Sequence, residues 1–232
     1  MTELIVALDL PTLSEASELV ERLKGAVRFF KVGLQLFSAC GPRAVEAVRR
    51  SGAEVFLDLK LHDIPQTVSH AVREAGRLGV HSVSLHLSGG PAMIEAAVKT
   101  ESRPRLWGVT VLTSHSPADL RAVHPALSVA PLARRLAALG VSKGIDAVIC
   151  SGREVPALRR ALGPEAVFVC PGIRPPGGPA HDQRRLVTPA EAERLGIRYA
   201  VVGRPVTKAP DPLAAAQEML SQMRNARPGG RR

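Results

Sequence analysis

The stretch "EVFLDLKLHDIP" (residues 54–65) decides the fold. In an extended chain successive side chains face opposite ways. Asp58 and Lys60 therefore share one face, and Leu57, Leu59 and Leu61 share the other. The leucines suit a layer of covering helices, which turns the two charges toward the interior of whatever the strand builds. Short apolar runs of the same kind recur at 4–9, 28–33, 82–87, 106–112, 147–151, 166–170 and 199–203. With 54–60 they make eight predicted strands.

Amphipathic segments lie between these runs. In "LSEASELVERLKG" (13–25), Leu19, Val20 and Leu23 recur at helical spacing. The stretches at 42–52, 66–79, 91–99, 131–140, 155–163, 189–196 and 212–224 read the same way. Several open on proline or a polar cap and several close on glycine, as helices do. Eight strand–helix alternations over 232 residues predict an α/β fold, a (β/α)₈ TIM barrel. The runner-up, a doubly wound open sheet, needs a reversal of strand order. No composition break divides the chain, so one catalytic barrel domain is expected over 1–225. A disordered basic tail is expected over 226–232, where "RPGGRR" closes the sequence.

Composition narrows the function classes. No apolar run is long enough to span a bilayer, and the start "MTELIVALDLP" lacks the basic segment of a signal peptide. The three cysteines (Cys40, Cys150, Cys170) are odd in number and far apart, with no C-x-x-C spacing. That argues against a disulfide framework or a zinc site and for a reducing cytoplasm. The net charge of +10 could serve a polyanion, but the basic residues are scattered and aromatics make up only 3%. Without aromatic platforms, nucleic-acid binding is not expected; an anionic small substrate profits from the same field. Only six lysines occur, so a lysine inside a strand is not there as a generic surface cation.

A barrel of this kind carries its site at the C-terminal ends of the strands. Asp9, Lys31, Asp58, Lys60 and His86 close the first four strands, and Thr113 follows the fifth. "PGIRP" (171–175) and "GRPVTKAPDP" (203–212) follow the seventh and eighth. A structural ion pair is the plain reading of Asp58–Lys60. Yet desolvated charges are costly unless well paired, and adding Lys31 and Asp63 gives four alternating charges with no evident benefit to stability. Neither His62 nor His86 is assigned a catalytic role.

The segments "LIVALDLP", "FFKVGLQLF", "VFLDLKLHDIPQTV", "VTVLTS", "CPGIRP", "HDQRR" and "YAVVGRPVTKAPDP" together closely resemble the orotidine 5′-phosphate decarboxylase family. The match runs in order over nearly the whole chain, with "DLKLHDIPQTV" its most specific part. One departure is His181, where relatives carry an acid before Asp182 and Gln183. The resemblance implies removal of CO₂ from C6 of orotidine 5′-monophosphate, giving UMP, the last step of pyrimidine nucleotide synthesis. It implies no metal and no organic cofactor. Lys60 then stabilises the developing carbanion and supplies the replacing proton, and Asp58 sits near the departing carboxylate. Lys31 and Asp63 complete a Lys–Asp–Lys–Asp array, Asp63 coming from the partner of a homodimer. Asp9 and Lys31 hold the ribose, helped by Thr67 of the partner chain, and Thr113 and Ser114 flank the pyrimidine. Arg204, the backbone at Gly203, Arg174 and Gln183 hold the phosphate. The Pro- and Gly-rich stretch 174–185 is expected to act as a lid over it.

Two rivals remain at this stage. Sister enzymes on the same barrel, a 3-keto-gulonate 6-phosphate decarboxylase or a hexulose phosphate synthase, share D-x-K-x-x-D but use Mg²⁺. They place an acidic ligand at the end of strand two, where this chain has Lys31, and a cation there repels the metal. A non-catalytic nucleotide- or RNA-binding barrel is suggested only by the charge.

Overall fold

Each apolar run forms a strand, and the strands pair in parallel, in chain order, until the last meets the first. They are β1 (Glu3–Ala7), β2 (Phe29–Gly33), β3 (Glu54–Leu61), β4 (Ser82–His86), β5 (Arg105–Val109), β6 (Ala147–Ile149), β7 (Phe168–Pro171) and β8 (Tyr199–Val202). In this computed structural model, which describes residues 1–123, 125–126, 128–176 and 186–227, they close a barrel. The closing contact pairs Ile5 with Val201 and Glu3 with Tyr199. That seam excludes the open sheet, which has two free edges.

Eleven α-helices accompany the strands among the described residues. These are α1 (Leu13–Leu23), α2 (Leu34–Cys40), α3 (Pro42–Arg50), α4 (Pro65–Arg77), α5 (Gly90–Val98) and α6 (Pro117–Val123), followed by α7 (Val129–Lys143), α8 (Val155–Leu162), α9 (Pro189–Arg194), α10 (Arg204–Thr207) and α11 (Pro212–Asn225). Local chemistry fixes their ends. Thr12 caps α1 through the Glu15 N–H, Asp211 caps α11 through Leu213 and Ala214, and a Thr188–Glu191 capping box opens α9. The stretch 204–207, directly after β8, is the short helix α10. Pro205 falls in its first turn, where the missing N–H costs nothing. Residues 228–232 of the expected tail lie outside the described residues, while Arg227 pairs with Glu193 of α9 at 3.3 Å.

Alternation along the strands divides the core in two. Outward residues such as Val6, Val32, Leu57 and Leu85 pack under the helices. Inward residues fill the barrel: Ile5, Phe29, Phe56, Trp107, Val169 and Tyr199 belong to one buried cluster. Trp107 sits at its centre, 4.4 Å from the ring of Phe56 and 4.7 Å from that of Tyr199, centroid to centroid. This aromatic plug closes the barrel below, as expected of a packed barrel interior rather than a pore. No helix among the described residues is long and apolar enough to cross a membrane.

Because Trp107 is fully buried and central, Trp107→Ala should destabilise the fold by about 3–5 kcal/mol. Urea unfolding followed by far-ultraviolet circular dichroism measures the change.

Candidate active site

The site begins with an irregularity in β3. Its ladder with β4 runs Phe56–Ser82 and Leu57–Val83, then jumps to Leu61–Leu85. The bulged strand accommodates extra residues between Leu57 and Leu61, and Lys60 takes a φ of +51°. That region costs an L-residue about 1–3 kcal/mol and persists only where surroundings over-determine it. The leucines still face outward as expected: Leu57 is buried, and Leu59 and Leu61 pack partly buried against the outer core.

Inward and upward from this bulge the charges form a chain. The Lys31 ammonium lies 2.8 Å from Asp9 Oδ1 and 3.7 Å from Asp58 Oδ2. The Lys60 ammonium lies 2.8 Å from the same Oδ2 of Asp58. The other Asp58 oxygen accepts a hydrogen bond from the Ser84 hydroxyl at 2.7 Å. Asp58 and Lys31 are buried, and Lys60 and Asp9 reach toward solvent. Burial alone would push the Asp58 carboxyl up. The ammonium groups of Lys31 and Lys60, with the hydrogen bonds from Lys60 and Ser84, outweigh it and hold the group below its ordinary value.

Within one chain the array is therefore Asp9–Lys31–Asp58–Lys60. Asp63 does not join it: its side chain is exposed and accepts from the Ile64 N–H at 2.6 Å. Thr67, in the first turn of α4, is exposed as well. His86 is half-buried with its ring 5.5 Å from that of His62, and neither lines the cavity described next. Burial and the neighbouring His62 and Lys60 keep the His86 pKa below the usual histidine range.

Above the aromatic plug opens a cavity of about 790 Å³, a volume suited to a nucleotide-sized ligand. Its lower wall is apolar, built from Phe56, Val109, Ile149, Val169 and Val201. All four members of the charged chain line it. Thr113, buried, and Ser114, exposed, come from the segment after β5, and Arg174, Gly203 and Arg204 from the ends of β7 and β8. Arg174 is buried, its Nη1 donating to the Ile173 carbonyl at 3.0 Å. Gln183 and most of the expected lid, 177–185, lie outside the described residues. The arrangement offers cations at the β7–β8 end and an alternating charge array at the β1–β3 end. It can hold an anionic group at the first while an ammonium meets charge developing at the second.

Sequence reasoning missed several participants. Lys208, Thr207 and Gln35 also line the cavity. Gly33 matters by what it lacks, since a Cβ there would stand 2.5 Å from Lys31 Nζ and 3.0 Å from Asp9 Oδ1. Its signal was available: Gly33 is two residues beyond Lys31, on the same face. Ser84, in phase with His86 along "SVSLHL", was likewise readable as an inward hydroxyl.

Residues 2–219 match the family described as "Orotidine 5'-phosphate decarboxylase / HUMPS family". Orotidine 5'-phosphate decarboxylase of Trichlorobacter lovleyi is 45% identical over 228 residues, covering 95% of each chain. That of Nitratidesulfovibrio vulgaris (strain DP4) is 47% identical over 232 residues, covering 96% of this chain and 98% of its own. The crystal structure of orotidine 5'-phosphate decarboxylase from Lactobacillus acidophilus is similar with a TM-score of 0.84 at 34% identity, over 96% of this chain and 99% of that one.

The lowered Asp58 pKa has a sign that can be tested. Ionised Asp58 adds stability above its unfolded value of about 3.9, and that contribution is lost as the pH falls through the lower native value. Lys31→Met removes one of the two flanking ammonium groups and so raises the native value. The acid loss of stability should then be smaller and complete at higher pH, with a cost near neutrality of about 3 kcal/mol. Urea midpoints collected as a function of pH for both proteins report the two effects.

Proposed function

The chain belongs to the orotidine 5'-phosphate decarboxylase / HUMPS family, and we propose that it converts orotidine 5′-monophosphate to UMP and CO₂. One observation carries the reading: an ammonium–carboxylate–ammonium array, with spacings of 3.7 and 2.8 Å, faces a nucleotide-sized cavity from the end of a closed barrel.

The chemical difficulty is a carbanion at C6 with no adjacent electron sink, which calls for roughly 20 kcal/mol of barrier lowering. In the proposed step the bond between C6 and the carboxylate breaks and its electron pair stays on C6. Lys60 stabilises that charge and transfers a proton to it, forming the C6–H bond of UMP while CO₂ departs. The neutral amine then takes a proton from solvent. A cation already fixed by Asp58 needs no reorganisation when the negative charge appears. Asp58 also faces the substrate carboxylate, a repulsion that ends when CO₂ leaves.

Binding is assigned to the rest of the rim. Asp9 and Lys31 hold the ribose hydroxyls, Thr113 and Ser114 flank the pyrimidine, and Arg174, Arg204, Gln183 and the Gly203 backbone hold the phosphate. In support, a Cβ on Gly203 would point into the mouth, 3.8 Å from Asp9 Oδ2, so its absence leaves room there. We assign a homodimer in which Asp63 and Thr67 enter the partner's site. Both are exposed where α4 begins, beside Ile64, which is 64% exposed. A large apolar side chain left open between two polar ones suits a covered surface. The three cysteines are free, which fits a cytoplasmic location.

The magnesium-dependent reading meets an obstacle in Lys31. Its ammonium lies between Asp9 and Asp58, the carboxylates on which a divalent ion would depend. No group of three or more His, Cys, Asp or Glu among the described residues is placed to hold a metal ion.

A spectrophotometric assay following loss of orotidine monophosphate absorbance tests the function, with turnover expected to persist in EDTA. Lys60→Ala should lower kcat by at least roughly 1,000-fold while UMP binding survives. Mixing Lys60→Ala with Asp63→Ala protein should restore turnover that neither shows alone, because one mixed site keeps both residues; no recovery would place Asp63 in its own chain's site.

A further inference from the structure

A single buried hydroxyl joins the two halves of the β3 irregularity. Ser84, on β4, is fully buried and does not line the cavity, so it is not placed to touch a bound nucleotide. It uses its proton and a lone pair in different directions. The hydroxyl donates to Asp58 Oδ1 at 2.7 Å and accepts from the backbone N–H of Lys60 at 2.9 Å. That N–H belongs to the residue at φ +51°, in the segment where the ladder between β3 and β4 loses register. The bulge removes the regular cross-strand partner from Lys60, and a side chain of the neighbouring strand takes its place.

The consequence for the charges is geometric. Asp58 Oδ2 faces the two ammonium groups, and Oδ1 is tied to Ser84. With both oxygens engaged, the carboxylate cannot rotate without losing a partner. With its N–H engaged, Lys60 cannot relax from its strained backbone without doing the same. From these contacts we infer that Ser84 is the positioning residue of the decarboxylation site, setting the Asp58 carboxylate plane and the Lys60 backbone at once. This rests on the reading that Lys60 and Asp58 perform the chemistry. The neutral hydroxyl suits the place. An acid there would repel Asp58, an amine would compete with Lys60 for it, and an alanine would leave two polar groups without their partner.

The test separates positioning from a purely structural bond. Ser84→Ala should lower kcat by about 10- to 100-fold, the range expected when a reacting group shifts by a fraction of an ångström to 1 Å. The affinity for UMP should stay within about twofold, because Ser84 lies off the binding surface. Ser84→Thr, which keeps the hydroxyl, should recover most of the lost kcat. Should Ser84→Ala fail to fold, Ser84→Cys, with a near-isosteric but weaker donor, reads the same split in kcat and binding. A variant that loses thermal stability but keeps wild-type kcat overturns the inference, as does equal loss in the Ala and Thr variants. Wild-type turnover is the control: its absence would overturn the proposed function, whereas normal wild-type turnover with an unimpaired Ser84→Ala overturns only the role of Ser84.

Discussion

A carboxylate stripped of water between two ammonium groups is the constraint on which this molecule is organised. Asp58 pays for burial only while Lys31 and Lys60 remain beside it, and each lysine depends on its neighbours in turn. The group works as a unit and its parts come from different strands: Asp9 follows β1, Lys31 lies on β2, Asp58 and Lys60 on β3, Ser84 on β4. A slip of one residue in β2 or β3 would send a charge into the helix layer. The closed parallel barrel, with each strand registered against two others, holds such a group in place. Gly33 shows how tight the fit is, since even a methyl group would collide with the Lys31 ammonium.

The cavity divides its labour along the same circle of strands. Near β1 to β3 the wall carries alternating charge, and near β7 and β8 it carries Arg174 and Arg204 above an apolar lower wall. A ligand with a phosphate at one end and a reacting ring at the other therefore meets different chemistry at its two ends. Attraction at the distant phosphate can hold the ring against a carboxylate that repels it, which spends binding energy away from the bond that changes. The apolar wall beneath lowers the local dielectric, so each fixed charge acts more strongly than it would in water.

Much of this was legible in the sequence for a simple reason. Strands buried on both faces leave short, dense apolar runs, and the helices between them announce themselves by period and by proline and glycine at their ends. The shared face of Asp58 and Lys60 followed from alternation alone, and the placement of Arg174 and Arg204 at strand ends followed from the order of elements. The bulge could not be read, because it puts a lysine rather than a glycine or asparagine at positive φ, and no local residue type marks it. The link from Asp58 to Ser84 was hidden because it joins strands by register, not by spacing. Asp63 was expected to enter the array from the partner chain; in its own chain its side chain accepts from the Ile64 N–H, and its assignment depends on surfaces of a second copy.

The aromatic plug beneath the cavity has a further consequence. Phe29, Phe56, Trp107 and Tyr199 fill the barrel's lower bore, so the chamber is closed from below. Under the proposed function, neither product can leave through that floor. A small gas and a bulkier nucleotide formed above it would share the mouth opposite the plug, so traffic there would link the departure of the two.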